Sequence, residues 1–72
     1  MASNSTSFAI SPVGQEFPRF AFTAMTRDLI QVIHQWTEED QLYKRTDTLS
    51  SETAGQFIKT LRNLGYTETP AL

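Results

Sequence analysis

Residues 26–45 decide the fold that the sequence predicts, and they read TRDLIQVIHQWTEEDQLYKR. Apolar side chains recur through this stretch at intervals of three and four residues, which is typical of an amphipathic helix. This spacing begins just before the stretch and covers Phe22, Met25, Leu29, Val32 and Trp36, and Tyr43 follows Trp36 by seven residues. Thr26 is a suitable N-cap, and Lys44 and Arg45 lie at the end where a helix favours positive charge. We therefore expect a helix over about residues 26–45.

A second helix-start signal lies inside the same stretch. Thr37 is followed by Glu38, Glu39 and Asp40. A threonine followed by acidic side chains is typical of a helix N-terminus, because the hydroxyl and the carboxylates favour the free amides there. Two alternatives remain, one continuous helix and a helix that breaks at Thr37, and we favour the continuous helix.

A shorter helix is predicted over about residues 51–64. Ser50 or Ser51 can cap its start, and Gly65 is suited to the left-handed residue that ends a helix. Gly55 borders the apolar face and would let the first helix approach closely. The apolar face consists of Ala54, Phe57, Ile58, Leu61 and Leu64. The predicted fold class is therefore mainly α, an antiparallel helical hairpin of helices at about 26–45 and 51–64.

The N-terminal residues 1–19 are predicted to form an arm outside the hairpin. Pro12, Gly14 and Pro18 leave no room for a helix. A short β-hairpin that pairs residues 8–13 with residues 19–23 is one alternative, and an extended arm docked on the helices is the one we favour. The domain organisation that follows is an arm at 1–19, a small helical domain at 20–66 and a frayed tail at 67–72.

Size and composition limit the possible functions. The chain has 72 residues, a net charge of −2, no cysteine and one histidine. A chain of this size buries only about 60% of its unfolded surface, so we expect self-association or an obligate partner. Without cysteine it has no disulfide framework, zinc ribbon or thiol nucleophile. No signal peptide or apolar run of membrane-spanning length is present, and we expect a cytoplasmic protein.

The sequence contains no arrangement that favours catalysis. Glu38, Glu39 and Asp40 are consecutive, so on a helix their carboxylates would point about 100° apart and would not face each other across a cleft. His34 has no visible nucleophile and orienting group beside it. We therefore predict that the protein is not an enzyme and needs no cofactor and no metal.

The aromatic content favours a protein partner. Five phenylalanines, two tyrosines and one tryptophan are too many for a two-helix hairpin to enclose easily. One alternative is that the arm covers its own helices with them, and the other is that they anchor an interface. We predict a small protein–protein interaction module, acting as an adaptor, inhibitor or assembly factor and able to form a four-helix homodimer. Its predicted partner-binding residues are Phe17, Phe20, Phe22, Trp36 and Tyr43, with Glu38 and Glu39 as an acidic rim.

The alternative function is a small DNA-binding regulator of helix-turn-helix type. Helix 51–64 would enter the major groove, and basic residues in the second half of the chain would contact phosphates. This alternative is the weaker one, because the turn is nearer five residues than three or four, no helix precedes the pair, and Glu52 would face phosphate at the start of the second helix. Its candidate nucleic-acid residues are Lys44, Arg45, Lys59 and Arg62.

Overall fold

A computed structural model of the chain describes residues 7–69 and contains a β-sheet and one helix. The strands are β1 (Ser7–Pro12), β2 (Arg19–Ala24), β3 (Leu29–Glu38), β4 (Gln41–Ser50) and β5 (Tyr66–Thr69), and helix α1 (Ser51–Asn63) connects β4 to β5. The five strands form one antiparallel sheet in the order β4-β3-β2-β1-β5. The predicted mainly α helical hairpin is therefore wrong, and residues 7–69 form a β-sheet with a single helix.

The stretch that was predicted to be a helix forms the β3–β4 hairpin. Phe22, Val32 and Trp36 fit a helical spacing, but they also occupy even-numbered positions and so lie on one side of two adjacent strands. Half of the β3 residues are isoleucine, valine, threonine or tryptophan, and β4 contains one tyrosine and two threonines; these residue types favour extended backbone. The strand period of two in the side-chain positions and the strand-forming residue types together favour a β-hairpin over the helix that the three-and-four spacing predicts.

The signal at Thr37 marks a hairpin turn instead of a helix start. Glu39 and Asp40 both have left-handed backbone conformations, with φ of 52° and 66°. Two consecutive left-handed residues make the turn whose twist suits a two-residue β-hairpin. Glu38 pairs with Gln41 across this turn, and the pairing continues as far as Leu29 with Ser50.

Thr26 also acts as a turn residue instead of a helix cap. Its hydroxyl oxygen accepts hydrogen bonds from the backbone amides of Asp28 and Leu29, each at 3.2 Å. The amide of Met25 donates to the carbonyl of Leu29 at 2.9 Å. These local bonds close the connection between β2 and β3.

The N-terminal segment is part of the sheet. β1 pairs with β2 on one side and with β5 on the other, so the expected extended arm is wrong and the hairpin alternative is the one that forms. Pro12 is the last residue of β1 and Pro18 precedes β2, so neither proline interrupts the middle of a strand. Residues 1–6 of the predicted arm lie outside the described residues.

Helix α1 lies where the second helix was predicted. The hydroxyl of Ser50 accepts a hydrogen bond from the amide of Thr53 at 3.2 Å, and Gly65 follows the helix with φ of 99°. A Cβ atom added at Gly55 would meet no atom within 4 Å, so the expected close approach at this glycine is wrong. Of the predicted frayed tail, residues 67–69 belong to β5 and residues 70–72 lie outside the described residues.

The core lies between one side of the sheet and α1. Ile10, Phe22 and Val32 come from three neighbouring strands, and Leu61 comes from the helix. All four are at most 4% exposed. Burial of these side chains holds α1 across the sheet and leaves the other side of the sheet uncovered by any described helix.

Candidate functional site

An apolar groove lies between the sheet and α1, with a volume of about 350 Å³. Phe20, Val32 and Leu49 from the sheet and Phe57 from α1 supply its apolar surface. His34, Arg45, Asp47 and Thr53 add polar groups to its lining. A concave apolar surface with a few polar groups is the usual form of a binding site.

The groove lies beside α1 because the helix crosses the sheet and does not follow the β3–β4 hairpin along its length. α1 has 13 residues and is about 20 Å long, and it leads from β4 at one edge of the sheet to β5 at the other. The helix follows Ser50 directly, so it starts over the end of the hairpin that is remote from the turn. Trp36 and Tyr43, near the turn, therefore lie beyond the helix.

Four rings stand side by side across β2, β3 and β4. Phe20 and His34 are stacked with centroids 4.3 Å apart and planes 7° from parallel. The centroids of His34 and Trp36 are 4.6 Å apart, and those of Trp36 and Tyr43 are 5.7 Å apart. We call Phe20, His34, Trp36 and Tyr43 the aromatic row. The row leads from the groove to the hairpin turn.

The inner end of the aromatic row is anchored to the helix. Phe57 meets Phe20 edge to face, with centroids 5.1 Å apart and planes 84° from parallel. Tyr66 lies on the same side, 6.0 Å from the Phe20 ring. Tyr43, at the outer end, is 38% exposed. The row is thus fixed at the core and open to solvent at the turn.

His34 contributes a neutral ring to the row. Burial lowers the pKa of His34 from its ordinary value of 6.5, and the positive charge of Arg45 lowers it further. Arg45 is the residue directly opposite His34 on β4. At neutral pH the imidazole is therefore uncharged and packs as an aromatic ring.

Arg45 and Asp47 form an ion pair on the groove side of β4. The Nε atom of Arg45 lies 3.1 Å from an oxygen of Asp47. The two side chains are 70% and 49% exposed, so the pair adds little to stability. Both groups are therefore free to form new polar contacts with a bound molecule at small cost.

Three carboxylates lie at the tip of the hairpin. Glu38, Glu39 and Asp40 are all exposed, and they follow Trp36 by two to four residues. The hydroxyl of Tyr43 donates to the side-chain oxygen of Gln41 at 3.2 Å, which holds the outer ring close to the turn. We call Glu38, Glu39 and Asp40 the acidic tip. The aromatic row therefore ends beside concentrated negative charge.

Five of the seven predicted partner-binding residues lie on one surface of the structure. Phe20, Trp36 and Tyr43 lie together in the aromatic row, and Glu38 and Glu39 belong to the acidic tip. The structure brings these five together along one side of the β3–β4 hairpin and its neighbour β2.

The other two predicted residues lie elsewhere. Phe22 is 1% exposed and belongs to the core, so it is not available to a partner. Phe17 is half-buried in the connection before β2, next to Pro18. The structure does not bring either residue into the groove lining.

The candidate nucleic-acid residues do not form one surface. Lys44 and Arg45 are consecutive in β4 and therefore point to opposite sides of the sheet. Lys59 and Arg62 are exposed on α1. The first helix of the expected pair is a β-hairpin, so the helix-turn-helix geometry has no basis among residues 7–69.

Sequence reasoning missed several groove residues. The period-two alternation of β3 and β4 was the signal that could have found them, because it places even-numbered β3 residues beside odd-numbered β4 residues on one side. The missed residues that this alternation would have found are His34, Asp47 and Leu49, and Arg45 was assigned to nucleic acid. Thr53 was also missed, but it lies in the first turn of α1, where no strand alternation applies.

Residues 7–69 contain neither a candidate metal site nor a membrane-spanning helix. No group of three or more histidine or acidic side chains is placed to hold a metal ion in this part of the chain. Its single helix is too short and too polar to cross a membrane.

No protein family model, curated protein or solved structure matches the sequence.

Proposed function

We propose that the protein is a non-enzymatic binding module that holds a short segment of another protein on the groove side of the β3–β4 hairpin. An apolar side chain of the partner would enter the groove, and a basic side chain about four residues away in the same segment would lie against the acidic tip. The observation that carries this proposal is the open aromatic row, which joins the groove to the tip.

The groove supports the apolar part of the recognition. Its volume of about 350 Å³ is that of a small-ligand site and has room for a large apolar side chain. Phe20 and Phe57 present aromatic surface, and Val32 and Leu49 present aliphatic surface. Aromatic and aliphatic pockets of this kind commonly receive the anchor residues of protein interfaces.

The acidic tip supports the basic part of the recognition. Glu38 lies four residues beyond the groove residue His34 along β3, or about 13 Å away. A lysine or arginine about four residues from the anchor of an extended segment would therefore meet Glu38 and Glu39, and it could also stack on the ring of Tyr43. Attraction at the rim mainly increases the association rate and excludes acidic partners. The same charge opposes a phosphate backbone, which is why we do not propose nucleic acid as the ligand.

Selection from a random peptide library on the immobilised protein tests the proposal. We expect the enriched peptides to combine a large apolar residue with a nearby lysine or arginine. Trp36 is the sole tryptophan and lies in the aromatic row, so its fluorescence reports binding of tryptophan-free peptides. Enriched peptides that leave this fluorescence unchanged would contradict the proposed site.

Charge and aromatic variants locate the binding surface. Glu38→Lys combined with Glu39→Lys should weaken peptide binding at least about tenfold, whereas Glu16→Lys, in the exposed β1–β2 connection, should not. Tyr43→Ala should also weaken binding, and Val13→Ala is its control because Val13 is 69% exposed outside the groove. Equal effects of the site variants and their controls would contradict the proposal.

A further inference from the structure

The outer edge of β4 is a long strand edge without a neighbouring strand among residues 7–69. β4 has ten residues, and every one except the half-buried Leu49 is exposed. The opposite edge of the sheet, β5, has four residues. An exposed edge strand presents free backbone donors and acceptors, which favour pairing with another strand.

The hairpin turn determines which backbone groups of β4 face outward. Glu38 and Gln41 flank a two-residue turn, and such flanking residues exchange both backbone hydrogen bonds. Because the pattern alternates, odd-numbered residues of β4 bond to β3 and even-numbered residues direct their amide and carbonyl groups outward. Between the ends of β4, the residues whose backbone amide and carbonyl groups face away from β3 are Leu42, Lys44, Thr46 and Thr48.

We propose that a second copy of the chain pairs antiparallel with this edge, with Thr46 opposite Thr46 of the partner subunit. Both threonines direct their backbone groups outward, so they form a hydrogen-bonded pair on the two-fold axis. On the groove side, Arg45 then lies opposite Asp47 of the partner subunit, and Asp47 lies opposite the partner's Arg45. The strand is therefore complementary in charge to itself.

The other pairs in this register are also compatible. Tyr43 lies opposite Leu49 of the partner subunit, and an aromatic ring beside an aliphatic side chain is a favourable cross-strand pair. Lys44 lies opposite Thr48 of the partner subunit, with no like charge facing it. The outward-facing backbone groups of both strands meet at every second position, as an antiparallel ladder requires.

Neighbouring registers bring like charges together. A shift of the two-fold axis to residue 45 places Arg45 opposite Arg45 of the partner subunit, and a shift to residue 44 does the same with Lys44. A shift to residue 47 places two Asp47 carboxylates opposite each other. Like charges directly opposite each other destabilise a strand pair, so charge selects the register centred on Thr46.

The assembled dimer would be a continuous ten-stranded sheet with one self-complementary interface. This inference rests on the edge of β4 and does not require the peptide-binding proposal to be correct. It differs from the four-helix dimer predicted from the sequence, because backbone pairing takes the place of helix packing. It also brings Tyr43 of the partner subunit beside Leu49, a residue of the groove.

Sedimentation velocity of the full chain from about 10 µM to about 1 mM tests the dimer. We expect the wild type to shift from monomer to dimer as concentration rises. Arg45→Asp and Asp47→Arg each place like charges across the interface, so each alone should dimerise at least about tenfold more weakly. A wild type that stays monomeric over this range would overturn the inference, and it is also the result expected if the edge takes a strand from another protein.

Mixing the two single variants provides the decisive control. One subunit then carries two acidic side chains at positions 45 and 47 and the other carries two basic ones, so a heterodimer pairs opposite charges at both positions. We expect dimer to return on mixing and also in the double variant R45D/D47R. Failure of both to restore the dimer would overturn the proposed register.

A backbone variant separates strand pairing from charge effects. Thr46→Pro removes a backbone amide that faces away from β3, and an edge strand tolerates proline at such a position. We expect this variant to lose the dimer and to keep the circular dichroism spectrum of the folded wild type. Asp47→Pro removes an amide that bonds to β3 and should unfold the hairpin instead. If Thr46→Pro retains the fold and dimerises like the wild type, the inference is wrong. If Thr46→Pro unfolds, the mixing experiment alone decides the outcome.

Discussion

Trp36 lies directly opposite Tyr43 in the β3–β4 hairpin, with ring centroids 5.7 Å apart and ring planes 18° from parallel. The pair closes the part of the hairpin that extends beyond α1. A cross-strand aromatic pair contributes about 0.5–1.5 kcal/mol beyond the area that it buries. The same two rings therefore hold the hairpin together and form part of the surface that we propose binds a partner.

Truncation of Phe22 should be far more destabilising than truncation of Tyr43. Phe22 is 1% exposed in the core, so Phe22→Ala should lower the free energy of unfolding by about 3–5 kcal/mol. Tyr43→Ala should lower it by about 1 kcal/mol, because this ring is 38% exposed and mainly contacts Trp36. Urea unfolding followed by circular dichroism measures both values. Similar losses for the two variants would contradict the assignment of Phe22 to the core and Tyr43 to the surface.

Gly55→Ala should stabilise the protein by about 0.5–1 kcal/mol. Gly55 lies inside α1, and a Cβ atom there meets open space, so alanine reduces the backbone entropy lost on folding without a clash. Gly65→Ala is the matched comparison, because Gly65 has φ of 99° and alanine would be strained there. Thermal unfolding should shift upward for the first variant and downward for the second. A lower melting temperature for Gly55→Ala would indicate that the helix contacts something at this position.

Asp40→Gly should stabilise the hairpin by about 1 kcal/mol. Asp40 has φ of 66°, which costs a residue with a side chain more than it costs glycine, and the second position of this turn type favours glycine. Denaturant unfolding gives the change in stability. The substitution leaves Glu38 and Glu39 in place, so peptide binding should be largely retained. An unchanged or reduced stability would contradict the left-handed conformation at the turn.

Stability should fall as the pH is lowered through the titration range of His34. Burial, with a smaller contribution from Arg45, lowers the pKa of His34 in the folded protein below 6.5. As the pH falls, the unfolded chain therefore takes up a proton on His34 at a higher pH than the folded protein does. The contribution of His34 to the free energy of unfolding is fully present above pH 6.5, and it is lost as the pH falls from 6.5 through the pKa of the folded protein.

His34→Phe isolates this contribution, because phenylalanine preserves a ring between Phe20 and Trp36 and cannot be protonated. Unfolding free energies at about pH 7.5 and about pH 5.5 should differ more for the wild type than for the variant. All other side chains are the same in the two proteins, so their contributions cancel in the comparison. An NMR titration that places the pKa of His34 above 6.5 would reverse the expected sign.

The sequence predicted α1 and its ends because the signals for a helix are local. Ser50 supplies the cap within the first turn, and Gly65 ends the helix one turn after Leu61. It did not predict β5, since a four-residue strand has little periodicity and its pairing with β1 joins residues more than fifty positions apart. The β3–β4 hairpin was misassigned because its apolar residues fit both periods.

Part of the candidate site was predictable on different grounds. Trp36, Tyr43 and Glu38 were selected as partner-binding residues from aromatic content and charge, and these properties do not depend on secondary structure. The positions of His34 and Arg45 beside the aromatic row depend on cross-strand register, which a helical interpretation of residues 26–45 could not supply. Residue type selected the candidate anchors, including Phe22, which is buried in the core, and only the strand pairing showed which of the others meet.

The central claim is that a long strand pair, and not a helix, places Trp36 and Tyr43 in one row with the groove. Nuclear Overhauser effects between backbone protons test it most directly. We expect strong contacts between the α-protons of Gln35 and Lys44 and between those of Ile33 and Thr46, which are the non-hydrogen-bonded pairs of this register. Contacts between each α-proton and the amide proton three residues later, throughout residues 29–45, would contradict it.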